Sequence, residues 1–151
     1  LALLLAQHIR DTGLPAPAAL GLIGPIGDLT GDPDARDRAA PGELLIPPEW
    51  AHRVRAAYLP GTDPAYPAVS PLMGDLTGLP PTLIQVSQAE MLLEHARRYV
   101  NKARAAGSPV YLQSWPGLLH AWQLFYPEVP ESGQAWKQIE SFLAAAEEGR
   151  L

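Results

Sequence analysis

The sequence contains no cysteine. This absence excludes a disulfide framework, a zinc site built on thiolates, an iron–sulfur cluster and a cysteine nucleophile. Basic residues are also few, because 11 Lys and Arg stand against 16 Asp and Glu, and the formal net charge is −5. A chain with this charge has no electrostatic reason to bind nucleic acid or anionic lipid. We therefore expect neither as a partner.

Long apolar runs are lacking too. The apolar opening, residues 1–6, is broken by Gln7, His8 and Arg10, well short of the roughly 20 residues that a membrane-spanning helix needs. The same segment lacks the basic leader and the small-residue cleavage site of a secretory signal. We expect no membrane span, and a cytoplasmic location is favoured.

What the chain does contain is an alternation of helical and strand-like segments, separated by stretches rich in its 17 prolines and 13 glycines. Apolar residues recur at helical spacing in residues 1–9, 49–58, 92–103 and 132–147. Short apolar runs typical of strands buried on both faces occupy residues 18–26, 82–86 and 110–114. This alternation predicts an α/β fold with a mostly parallel sheet and flanking helices.

The predicted domain looks incomplete at its N-terminal side. Three strands are too few for a stable parallel sheet with both faces covered, and the helical pattern is already under way at Leu1, without an N-cap. We expect residues 1–151 to be the C-terminal portion of one domain whose N-terminal strands are missing. Residues 31–42, rich in Gly, Asp and Pro, predict an irregular loop.

Two candidate catalytic side chains follow neighbouring predicted strands. Glu90 comes after the strand at residues 82–86, and His120 after the strand at residues 110–114. Because parallel strands end at the same edge of a sheet, we expect these two residues to be neighbours. A carboxylate beside an imidazole fixes its tautomer and stabilises the imidazolium, as a general base requires.

The loop at residues 115–122 is apolar around His120. A histidine in such a loop, taken alone, is more often a core residue than a catalytic one, and the pairing with Glu90 favours the catalytic interpretation. Trp122, two residues further on, is the candidate wall of an apolar acyl pocket. Asp28 also follows a strand and is an alternative acid, although an Asp-Leu-Thr sequence is typical of a capped turn.

No metal or cofactor site is predicted. Glu94 and His95 adjoin on a helix, where neighbours point about 100° apart, and we assign them to a solvated face. His8 and His52 have no carboxylate or cysteine at ligand spacing. The glycines at positions 21, 24 and 27 do not match the dinucleotide-binding fingerprint, and small residues in a buried strand and its turn explain them.

The motifs around these residues resemble a known family. The chain carries SPLMGDLTGLPPTL at residues 70–83, IQVSQAEMLLEH at residues 84–95 and PGLLH at residues 116–120. Together they resemble the hormone-sensitive-lipase-like (bacterial type IV) carboxylesterases, a group of the α/β-hydrolases. The likeness extends over essentially the whole chain and is most specific in residues 70–125. Ser87-Gln88-Ala89 departs from it, since relatives often have Gly-Ser-Asp there.

The resemblance implies a serine carboxylesterase that needs no cofactor and acts on small ester substrates. The histidine of the family's Pro-Gly-x-x-His loop falls on His120, and the triad acid falls on Glu90. It also implies that an insertion at about residues 32–60 contributes to a cap over the site, and that the protein can form a homodimer.

The nucleophile of that family has no counterpart here. The motifs G-x-S-x-G and His-Gly-Gly, which supply the nucleophile and the oxyanion hole, are absent. We expect both upstream of Leu1, in an N-terminal portion without which the segment is inactive. The alternative is a non-catalytic truncated remnant or an interaction module.

Overall fold

The computed structural model describes residues 1–30, 42–47 and 49–151. In these residues, three parallel strands form a sheet in the order β1, β2, β3. The strands are β1 (Leu20–Ile23), β2 (Thr82–Ser87) and β3 (Val110–Trp115). The α-helices are α1 (Ala2–Thr12), α2 (Trp50–Tyr58), α3 (Leu93–Ala105) and α4 (Pro130–Glu147). The predicted alternation of strands and helices is confirmed.

Strand β1 is shorter than the apolar run at residues 18–26 predicted. Gly24 leaves the extended conformation with a φ of +47°, and Pro25 has no N–H to donate to a strand ladder. The strand therefore ends at Ile23, and the chain turns away at the edge where the site is formed.

Helices cover both faces of the sheet. Ile84 and Val86 of the central strand β2 pack into an apolar cluster with residues of α1 and α3. Gln85 faces the other way and donates a hydrogen bond from Nε2 to the carbonyl oxygen of Ala135 in α4, at 3.0 Å. Every residue of β2 is buried, which explains why its sequence does not alternate between apolar and polar residues.

The region of the predicted cap insertion is described in part. Residues 31–41 and 48, which include most of the predicted irregular loop, lie outside the described residues. Helix α2 begins at Trp50, and this residue packs against a small apolar cluster of Ile46, Met91 and Leu92. The segment before α2 therefore lies against the turn that carries Glu90. None of the helices in the described ranges combines the length and apolarity needed to cross a membrane.

Candidate active site

Glu90 and His120 meet at the edge of the sheet where β2 and β3 end. Glu90 lies three residues beyond the end of β2, and His120 five residues beyond the end of β3. The imidazole Nδ1 and the carboxylate Oε2 are in hydrogen-bond contact, although the two residues are 30 positions apart in the chain. The parallel arrangement of the strands brings them together, since it ends both strands on one side.

The two side chains differ in their access to solvent. Glu90 is 3% exposed, and its Oε1 accepts a 3.0 Å hydrogen bond from the backbone N–H of Ser87. The His120 side chain is 24% exposed. With Nδ1 directed at Glu90, Nε2 lies on the far side of the ring. This arrangement holds the carboxylate inside the protein and leaves the imidazole partly accessible, as a general base requires.

The surroundings of His120 favour its protonated form. The hydrogen bond that the imidazole donates to Glu90 raises the pKa of His120 above its usual 6.5, burial opposes this, and the negative charges of Glu90 and Glu43 raise the pKa further. Glu43 reaches the site from the segment before α2, where its Oε2 accepts a 3.3 Å hydrogen bond from the N–H of Met91. The sequence does not indicate Glu43, because no local pattern connects this residue to a turn 47 positions later.

Gly24 gives the imidazole the room it occupies. A Cβ atom at this position would lie 2.6 Å from Cε1 and 2.8 Å from Nδ1 of His120. Its φ of +47° also lies in the left-handed region that favours glycine. The sequence pattern explains this glycine only as a small residue in a buried strand and its turn, and the close approach of His120 is visible only in the structure.

The catalytic role predicted for His120 can be tested at Gly24: with that role, replacement of Gly24 by alanine is expected to lower the activity of the full-length protein about 100-fold, because a catalytic group displaced by about 1 Å loses that much. The measurement is kcat for an activated ester. Gly61→Ala is the matched control: Gly61 has a φ of +74° and nothing within 4 Å of an added Cβ. The Gly61→Ala substitution imposes the same backbone strain as Gly24→Ala, about 1–2 kcal/mol, but has no steric effect on His120. Equal kcat values for the two variants would contradict the assignment.

The segment after His120 is held by a buried polar network. Gln123 Nε2 donates to Gln85 Oε1 at 2.9 Å, and the carbonyl oxygen of Trp122 accepts from Ser132 Oγ at 2.6 Å. Trp122 itself is 1% exposed, and its ring lies 5.8 Å from that of Trp115. Its role as a wall of an acyl pocket stays a prediction.

Asp28 caps a turn, as its sequence context predicted. Its Oδ1 accepts hydrogen bonds from the N–H of Thr30 at 2.7 Å and from its hydroxyl at 2.6 Å. Its Oδ2 pairs with Arg98 Nη1 at 2.5 Å. Burial by itself would raise the pKa of Asp28, but the hydrogen bonds from Thr30 and the Arg98 charge outweigh it and hold the pKa below 3.8.

The assignment of His95 to a solvated face is wrong. His95 is 4% exposed, because it precedes Tyr99 and Ala103 on helix α3 at intervals of four residues and shares their buried face. Glu94 does face solvent and forms a 3.6 Å ion pair with Arg97.

Comparisons with known proteins agree with this architecture. A family model described as alpha/beta hydrolase fold matches residues 1–124. An acetyl-hydrolase of Streptomyces hygroscopicus is 40% identical over 146 residues, which cover 97% of this chain and 49% of that protein. An esterase of Acinetobacter venetianus is 34% identical over 145 residues, 94% of this chain and 47% of that protein.

Solved structures show the same likeness. A crystal structure of EstE5 soaked with ethyl alcohol superimposes with a TM-score of 0.89 at 34% identity, over 95% of this chain and 49% of that one. A hormone-sensitive lipase from a metagenome library gives a TM-score of 0.87 at 31% identity, over 95% of this chain and 48% of that one. The chain thus spans about half the length of the relatives that it matches. It belongs to the α/β-hydrolase fold family, and the structures it resembles include a hormone-sensitive lipase.

Proposed function

We propose that the protein containing this chain is a serine carboxylesterase in which His120 is the general base and Glu90 the acid of a Ser-Glu-His triad. The observation that carries the proposal is the contact of His120 Nδ1 with the buried Glu90 carboxylate at the edge of the sheet. The names of the relatives, an acetyl-hydrolase and esterases, support ester hydrolysis. The contact also favours the enzyme over a non-catalytic remnant, which would have no need of it.

The proposed reaction proceeds through an acyl-enzyme. His120 Nε2 takes the proton of a serine hydroxyl as the serine oxygen attacks the ester carbonyl carbon, while Glu90 stabilises the imidazolium. The imidazolium then gives this proton to the departing alkoxide as the C–O bond of the ester breaks. A water molecule, deprotonated by the same nitrogen, then attacks the acyl carbon. As the C–O bond to the serine breaks, the imidazolium returns the proton to the serine oxygen and the carboxylic acid is released.

The nucleophile and the oxyanion hole are proposed to lie outside residues 1–151. Six serines are present, and none lies in a G-x-S-x-G motif: Ser70, Ser87, Ser108, Ser114, Ser132 and Ser141. The Glu43–Met91 hydrogen bond and the packing of Trp50 near the acid turn support the further proposal that the insertion at about residues 32–60 contributes to a cap. Small ester substrates, a homodimer and a cytoplasmic location stay predictions.

Labelling of the full-length protein with a fluorophosphonate tests the division of the triad. We expect one covalent adduct, on a serine outside residues 1–151, because an activated serine hydroxyl attacks this electrophile. Peptide mapping by mass spectrometry locates the adduct, and prior incubation with an ester substrate should slow its formation. An adduct on any of the six serines would overturn the division. Absence of both labelling and ester hydrolysis would favour the non-catalytic alternative.

A further inference from the structure

Ser87 touches both of the loops that carry the acid and the base. It is the last residue of β2 and is completely buried. Its backbone N–H donates to Glu90 Oε1 at 3.0 Å. Its hydroxyl donates to the carbonyl oxygen of Leu118 at 2.5 Å, two residues before His120, and accepts from the N–H of Ala89 at 3.0 Å.

The loop that carries His120 needs such a support. Gly117 and Ala121, on either side of the histidine, both have positive φ values, 68° and 52°. This connection lies outside regular secondary structure, so its backbone polar groups need partners other than a strand ladder or a helix, and a side-chain hydrogen bond is one of them. The Ser87 hydroxyl donates to Leu118 in the His120 loop and accepts from the N–H of Ala89, the residue before Glu90. It therefore links the His120 loop to the turn that carries Glu90.

We propose that Ser87 is a positioning residue that sets the placement of His120 relative to Glu90, through its hydroxyl on the histidine loop and its N–H on the carboxylate. The expected change in kcat rests on the proposed function, because the position of His120 affects turnover only if His120 and Glu90 belong to a working triad. The two contacts are separable by substitution: alanine at position 87 keeps the N–H bond to Glu90 and removes only the link to Leu118 and Ala89.

Ser108 provides a matched control. It is also buried, its hydroxyl donates to the carbonyl oxygen of Leu76 at 2.5 Å, and it accepts from the N–H of Leu79 at 3.1 Å. It precedes β3 and therefore lies at the opposite edge of the sheet from the site. Ser87→Ala and Ser108→Ala each leave one carbonyl oxygen and one N–H without their hydroxyl partner, and they are expected to lower thermal stability by similar amounts.

The experiment compares the full-length wild type with these two variants. We expect Ser87→Ala to lower kcat for p-nitrophenyl butyrate at least tenfold with KM nearly unchanged, since misplaced catalytic groups lose rate rather than binding. We expect Ser108→Ala to retain the wild-type kcat. If Ser87→Ala does not fold, Ser87→Cys keeps the shape of the side chain with a weaker donor and serves the same comparison.

An NMR titration of His120, assigned through the loss of its signal in His120→Ala, gives a readout independent of turnover. Glu90 and Glu43 are the charged groups that act on this imidazole. Weaker contact with Glu90 in Ser87→Ala should shift the His120 titration to lower pH, and Ser108→Ala should leave it unchanged. Equal kcat values and equal titrations for both variants would overturn the proposal. A wild type without His120-dependent hydrolysis would overturn the proposed function, and the titration would still decide the role of Ser87.

Discussion

Replacing His120 by alanine in the full-length protein is expected to lower kcat for p-nitrophenyl ester hydrolysis about 10⁵-fold, with KM changed little. The reason is that the serine hydroxyl loses its proton acceptor and the leaving alkoxide its proton donor in the same substitution. A factor of this size corresponds to about 7 kcal/mol of lost transition-state stabilisation. Steady-state kinetics with active-site titration of the enzyme concentration measures it.

The control for this loss is His8→Ala. His8 is an exposed histidine on helix α1, so its replacement should leave kcat and thermal stability near the wild-type values. His120 is partly exposed, and we expect its removal to leave the far-UV circular dichroism spectrum unchanged. Near-normal turnover by a folded His120→Ala variant would rule out His120 as the base.

Replacement of Glu90 by glutamine is expected to lower kcat about 10⁴-fold, the size of the effect when a neutral amide replaces the acid of such a triad. Glutamine keeps the shape of the side chain but removes the charge that stabilises the imidazolium. Its amide group can also donate to Nδ1, which favours the wrong tautomer of His120. Rapid-quench measurement of acylation separates this chemical step from deacylation.

The same variant makes a prediction for the pH profile. Because Glu90 raises the pKa of His120 above 6.5 and the base acts in its neutral form, wild-type kcat/KM should fall as the pH drops through a midpoint above 6.5. Removal of the Glu90 charge lowers this pKa, so the acidic limb of Glu90→Gln should move to lower pH.

Glu94→Gln is the control for Glu90→Gln, because Glu94 is exposed on α3 and pairs with Arg97 at the surface. It should reproduce the wild-type rate and pH profile. An unshifted acidic limb in Glu90→Gln, together with turnover close to that of Glu94→Gln, would mean that Glu90 is not the acid.

Several parts of the site could be predicted from the sequence because their signals are local. The strands before Glu90 and His120 are short apolar runs, and the rule that parallel strands end at one edge of a sheet links the two residues without any coordinates. The capped turn at Asp28 follows from an Asp-Leu-Thr sequence alone. The prediction for His95 is wrong because its adjacency to Glu94 does not set which face of the helix it shares, whereas its four-residue spacing from Tyr99 does.

The sequence by itself determined the α/β alternation, the family resemblance and the pairing of an acid with a base, since periodicity and motif spacing are properties of the chain order. Only the tertiary structure decided that Gly24 makes room for His120, that Glu43 reaches the acid turn and that Ser87 joins the two loops. These features depend on contacts between atoms of residues that are far apart in the chain. No local pattern specifies such distances, because packing of the sheet, its helices and its loops sets them together.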